Sequence, residues 1–260
     1  MRQPSETDIE AAKAYLRQRL DAERSMSYNL EIVMREAAER VVEILYSANI
    51  HPTVASYGDL PLSVQWDIDE VVQWLKETIN DYFQTLAIAD HEENRNTILP
   101  FILGENHGMT FDERLTDYVG KYKNELLLLI GAGLLLGIGK SALAKSIGDN
   151  LRQPYANPML KDGIEAPLTY GRGRSNSMYN AINTLMRFGI GRGWMYDRHL
   201  KAEMEKAQGF MTFRNSSCAC DQCDEYASYM HPMDDPIPPL HANCVCGTIY
   251  FNAFGEPIRF

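Results

Sequence analysis

Apolar residues recur at three- and four-residue spacing through the first 150 positions, a period that predicts helices. Ile9, Ala12, Leu16 and Leu20 follow a helix start at Ser5 and Asp8. A second helix is expected from about Asn29, with Leu30, Val33, Ala37, Val41 and Ile44 along one face. It should stop near Asn49, because His51 precedes Pro52 and is biased away from helix. Residues 52–66, with Pro52, Gly58 and Pro61, read as loop. Ile68, Val71, Val72, Leu75, Ile79, Tyr82, Phe83 and Leu86 then mark a strongly amphipathic third helix, and the polar run 90–96 reads as a solvated connection.

Thr110-Phe-Asp-Glu113 is a capping-box pattern opening a helix through Leu115, Val119, Tyr122, Leu126, Leu129 and Ile130. Glycines 131, 133, 137 and 139 should weaken or bend it, or let another helix approach closely. A short helix over Ser141–Leu151 follows, and then an irregular stretch, 152–175, that is the best internal boundary. Helices are expected over Ser177–Phe188 and around Met195–Gln208, separated by Gly189, Gly191 and Gly193. Short strands fit Phe210–Phe213 and Cys246–Phe251. The expected fold class is therefore mainly α with a small C-terminal α+β segment. The expected organisation is an N-terminal helical region (1–108), a helical core (109–208) and a Cys/His-rich segment (209–260).

Charge changes this picture in one respect. The 260-residue chain carries a formal net charge of −10, which argues against a protein that coats nucleic acid over its whole surface. The charge is uneven: residues 1–120 hold 10 Lys and Arg against 22 Asp and Glu, whereas residues 171–214 hold 8 against 3. Within the basic stretch, Arg172, Arg174, Arg187, Arg192 and Arg198 are candidate contacts to nucleic acid or to an acidic protein surface. The plainer reading is that such arginines are solvated or pair with the acidic half. The most apolar run, Leu126–Ile138, is shorter than the roughly 20 residues of a spanning helix and is flanked by Lys123, Glu125 and Lys140. It is expected as a buried helix, with no membrane as partner.

Several motifs invite chemistry. Gly137–Ser141 (GIGKS) lacks the first glycine of a P-loop, whose place is taken by Leu134, and reads as helix punctuation. Cys218, Ser216 and Ser217 with His199, His231 or His241 form no recognisable nucleophilic constellation. Asp234 and Asp235 sit in a proline-rich turn and are expected to stay hydrated.

The cysteines are different. All five fall between positions 218 and 246, an odd number in a chain whose start has no apolar signal core. A reducing compartment with metal-bound thiolates fits better than a disulfide framework. Cys220-x-x-Cys223 and His241-x-x-Cys244-x-Cys246 have the spacing of two ligand knuckles that close on one tetrahedral zinc. The expected set is Cys220, Cys223, His241 and Cys244, with Cys246 competing for the fourth place. A fully ligated ion would be structural, since no position is left for water, and the small C-terminal α+β segment is expected to be zinc-stabilised. The alternative is a cluster of buried, reduced cysteines without metal.

The pattern Cys-x-x-Cys followed by Pro238-Pro-Leu-His241-x-Asn243-Cys244-x-Cys246 resembles the phage Mu F-like minor head proteins, also called phage head morphogenesis proteins. A weaker likeness covers Thr110–Arg114 and Leu136–Lys145, so the resemblance spans about residues 109–251. The chain departs from the family at Val245, where an arginine is usual, and at Glu225-Tyr226-Ala227, where a glycine is common. The resemblance implies a virion structural or assembly protein, assembled in a bacterial host cytoplasm. Its implied partners are portal and capsid proteins, with DNA as a candidate contact, and it implies no enzymatic activity. A zinc-dependent nuclease or toxin domain using His231 or His241 is the competing class; it requires an open coordination position and a nearby base.

Overall fold

The computed structural model describes residues 5–50, 57–88, 92–106, 108–160, 175–215 and 219–259. The protein is mainly helical, with a small three-stranded antiparallel sheet near its C-terminal end. In chain order the elements are α1 (Glu6–Ser47), α2 (Leu62–Ile88), α3 (Arg95–Leu103), α4 (Phe111–Leu135), α5 (Lys140–Asp149), α6 (Met178–Met204), β1 (Gly209–Phe213), α7 (Asp221–Tyr226), β2 (Met230–His231) and β3 (Gly247–Phe251).

Two pairs of expected helices are single helices. α1 runs unbroken for 42 residues, because Ala22, Glu23, Met26 and Leu30 carry the buried stripe straight through the region expected to interrupt it. α6 likewise passes through Gly189, Gly191 and Gly193 without a break. Gly193 is there for proximity: a Cβ at that position would lie 2.7 Å from the backbone oxygen of Ala87. Of the stretch 52–66 expected as loop, residues 52–56 lie outside the described residues and α2 already begins at Leu62; of the polar run 90–96, the described residues from Glu92 lead into the unexpected helix α3.

Contacts divide the chain into two compact units, each gathering segments far apart in sequence. One unit comprises Met1–Met26, Phe83–Gly104 and Thr184–Phe260; the other comprises Ser27–Tyr82 and Glu105–Asn183.

The second unit is built on α4. Thr110 and Glu113 complete the expected capping box, with Glu113 Oε2 accepting from the Thr110 backbone N–H at 2.7 Å. Leu115, Val119, Tyr122, Leu126, Leu129 and Ile130 are all buried, and the Tyr122 hydroxyl donates to the Met34 carbonyl at 2.8 Å. Gly133 lets Leu143 of α5 approach, so one of the roles foreseen for the α4 glycines is realised. Gly137, at φ +68°, makes the turn into α5, whose first residue is Lys140. Among the described residues no helix is long and apolar enough to cross a membrane.

The first unit holds the sheet, in the order β2-β1-β3. β1 pairs with β3 through Phe210↔Tyr250, Met211↔Ile249 and Thr212↔Thr248, and with β2 through Phe210↔His231. One face of the sheet packs Phe210 and Tyr250 with Ala202 and Ala207; Ile249 and Phe251 pack with Ala12 of α1. β3 thereby lies between Ala12 of α1 and Ala202 of α6, and both cysteine knuckles attach at the one end of the sheet where Phe213 pairs with Gly247.

Candidate metal centre

The first knuckle follows β1. Cys220 is the N-cap of α7 and Cys223 lies in its first turn, so the two thiols of Cys-x-x-Cys face the same side. The second knuckle precedes β3. Cys244 N donates to the His241 carbonyl at 3.1 Å, and Asn243 closes the turn at φ +67°, a left-handed conformation that asparagine tolerates better than most residues. Gly247, directly after Cys246, opens the strand against the ring of Phe213.

The two knuckles converge. His241 Nε2 lies 3.1 Å from both Cys220 Sγ and Cys223 Sγ, and Cys223 Sγ lies 3.8 Å from Cys244 Sγ. Cys220, Cys223 and His241 form one group of close donor atoms; Cys223, Cys244 and Cys246 form another, and Cys223 belongs to both. Cys223, Cys244 and Cys246 are buried and Cys220 is half-buried; all four are free thiols.

These residues fit a soft divalent ion. Metal–sulfur bonds of about 2.3 Å in a tetrahedron give a sulfur–sulfur edge of about 3.8 Å, the separation seen between Cys223 and Cys244. The sulfur–nitrogen edges are tighter than the roughly 3.5 Å of a regular site. His241 Nδ1 sits 2.8 Å from the Ala242 carbonyl, which places the proton on Nδ1 and leaves the Nε2 lone pair facing the thiols. The cluster could hold a metal ion.

Its electrostatics have the same sense. The Cys223 backbone N–H, followed by the Cys223 side chain, holds the Cys220 thiol below its ordinary range. The Cys246 thiol, donating to Cys244, draws Cys244 down to about 5, while Cys244 in turn drives Cys246 upward. Burial, then the hydrogen bond with Cys220, pushes Cys223 up to about 12. Burial opposes charge on His241, but the Ala242 carbonyl and the Cys220 hydrogen bond outweigh it and raise the ring. The surroundings thus favour the thiolate at Cys220 and Cys244 and the protonated thiol at Cys223 and Cys246. A bound cation would displace those protons.

The other expected site residues behave differently. Arg172, Arg174, Ser216, Ser217 and Cys218 lie outside the described residues. Arg187 forms an ion pair with Glu23 at 3.1 Å, Arg192 stacks over Phe101 at 4.4 Å, and Arg198 is buried over the ring of Tyr15. The Asp234-Asp235 turn is not simply hydrated: Asp235 Oδ2 is 2.9 Å from Nδ1 of the buried His231.

Sequence reasoning missed Arg19. This α1 side chain is fully buried and donates to the carbonyls of Cys246 at 3.4 Å and Cys244 at 3.3 Å. Its signal was in the pattern: Ala12, Leu16, Arg19, Glu23, Met26 and Leu30 keep strict helical spacing, so two charged residues occupy the buried stripe.

The fold and the cluster define a class, a mainly helical protein ending in a Cys/His knuckle module on a small sheet. Searches of family models, of curated proteins and of solved structures found no match to this chain.

Proposed function

We propose that this chain is a phage minor head protein of the head morphogenesis type, a structural or assembly component of the virion whose C-terminal module is folded around one zinc ion. The observation that carries the reading is the convergence of the two knuckles. Residues separated by a long spacer, in the order Cys-x-x-Cys then His-x-x-Cys-x-Cys, meet as one cluster of soft donors. In this reading Cys220, Cys223, His241 and Cys244, the four linked by the short contacts, hold the ion, and Cys246 lies beside them.

Zinc bound this way supplies cross-linking energy and no reaction. The module then presents a fixed surface to portal or capsid proteins. DNA is a lesser candidate partner, since Arg187, Arg192 and Arg198 are engaged within the fold.

Particles assembled without the chain should have defective heads or deliver DNA poorly, and the chain should be found in purified virions. Normal, infectious particles lacking it would overturn the reading. Zinc content of the purified protein tests the metal separately: about one ion per chain is expected, and none would remove the zinc.

A further inference from the structure

α1 and α2 leave a groove between them, wholly within the Ser27–Tyr82 segment of the second unit. Arg40 of α1 lies over the Trp74 ring of α2 at 3.9 Å, so the two helices run side by side here. The groove holds about 700 Å³ and is lined by the apolar side chains of Ile44, Val71 and Trp74. Around them stand Glu39, Glu43, Asp67 and Glu70, four exposed carboxylates against the single guanidinium of Arg40. Arg40 is paired with Glu36, and Glu43 with Lys140. Glu39, Asp67 and Glu70 have no ion pair or hydrogen bond among the described residues.

The apolar surface continues past the groove. Trp66, one turn before Glu70 on α2, is 67% exposed, and Leu62, one turn before that, is 66% exposed. A tryptophan left in water beside a cleft is the residue type that anchors protein contacts. A small cation would fill the groove and leave this ridge bare, so the occupant is an element several turns long. Nucleic acid has the wrong sign for these carboxylates, and so does a second copy of a chain whose formal charge is −10.

We propose that the groove docks a basic amphipathic helix of a partner protein. Its apolar stripe lies on Trp66, Ile44 and Trp74, and its lysines or arginines face Glu39, Asp67 and Glu70. The proposal is independent of the zinc reading, since the cysteine knuckles belong to the other unit.

The probe is a synthetic leucine–lysine peptide with leucines at three- and four-residue spacing. A shuffled peptide of the same composition and a leucine–glutamate counterpart are compared with it. Affinity for the full chain is read by calorimetry at low and at physiological salt. The patterned basic peptide should bind, less tightly as salt rises, and the other two should bind at least about tenfold more weakly. Replacing the three unpaired carboxylates together (Glu39→Gln, Asp67→Asn, Glu70→Gln) should weaken binding about tenfold, the sum of three exposed ion pairs. Trp66→Ala should weaken it by about as much. All four positions are exposed, so a thermal melt should show these variants folded as wild type.

The chain is acidic overall, so a control removes three exposed carboxylates of the other unit, Asp21→Asn, Glu205→Gln and Asp234→Asn. This control should bind the peptide as wild type does. Equal weakening in the control and the groove variant, or equal binding of the shuffled peptide, would reduce the effect to general charge attraction and overturn the proposal. Wild-type affinity in Trp66→Ala, or no binding of the patterned peptide to wild type, would overturn it too. Self-association of wild type that Trp66→Ala abolishes would give the groove to a second copy instead.

Discussion

Cys223 is the one thiol common to both groups of donor atoms, so Cys223→Ser should be the most damaging single change in the knuckles. Without metal, the knuckle core consists of Cys223, Cys244 and Cys246 with Cys220 against them, all small side chains. Burying each contributes on the order of 1 kcal/mol, whereas zinc in a structural site contributes about 10–16 kcal/mol. One ligand in four is then worth roughly 3 kcal/mol, or about two decades of affinity. Cys246→Ser leaves the four proposed ligands in place and should cost less than about tenfold.

Location sharpens the prediction, since every proposed ligand lies in the unit made of Met1–Met26, Phe83–Gly104 and Thr184–Phe260. Hydrogen exchange read segment by segment should show β1, α7 and β3 losing protection in Cys223→Ser, or in wild type after chelation. α4 and α5, which belong to the other unit, should keep theirs. Equal loss of protection in both units, or wild-type zinc affinity in Cys223→Ser, would refute the reasoning.

Three other outcomes follow from single contacts. Asn243→Gly should leave thermal stability nearly unchanged, whereas Asn243→Ala should lower it by about 1 kcal/mol, because φ +67° suits glycine and penalises a β-carbon without the local hydrogen bonding of asparagine. Gly193→Ala should destabilise in a thermal melt although alanine is the better helix former: propensity favours it by about 1 kcal/mol, but the new Cβ meets the Ala87 backbone oxygen, and overpacking of that kind costs about 1–3 kcal/mol. The Asp8 carboxyl is lowered to about 2 by the Ser5 hydroxyl and backbone and then by Arg259. A depressed carboxyl stabilises above its unfolded value and loses that contribution as pH falls, so the loss should run from about pH 4 down to about pH 2; an NMR titration of Asp8 in that window, with Asp8→Asn flattening the change, checks it.

The parts of this fold that could be read from sequence are those where the cause is local. The capping box at Thr110, the buried face of α4 and the two strands flanking the knuckles depend on neighbours a few residues away, and they stand where the pattern puts them. The knuckles belong to the same group, since ligand spacing within a turn is a local quantity. Failures came where distant packing overrides a local rule. Three glycines looked like a break in α6, yet at Gly191 and Gly193 they mark where Pro239 and the Ala87 carbonyl press against the helix. Arg19 meets Cys244 and Cys246 across more than two hundred residues of chain, and only its place on an apolar stripe hinted that it was buried.

The same contacts bear on the competing idea of a metal-dependent nuclease, which needs a vacant coordination position and a base within reach of substrate. Four donors already face one another at the knuckles, and the crevice beside Cys244, between Glu23, Arg187 and Pro239, holds about 10 Å³, room for no more than a water. His241 presents one nitrogen to the thiols and commits the other to the Ala242 carbonyl. His231 is fully buried, stacked between Phe210 and Tyr226, with Nε2 2.7 Å from the Tyr226 carbonyl and Nδ1 2.9 Å from Asp235. Neither ring is positioned to take a proton from a substrate, so a nuclease would have to dismantle the packing that seats β2 against β1. Incubating the pure protein with DNA and RNA, with and without chelator, should therefore give no metal-dependent cleavage; cleavage that His231→Phe abolishes while zinc content stays at wild type would reverse this assignment.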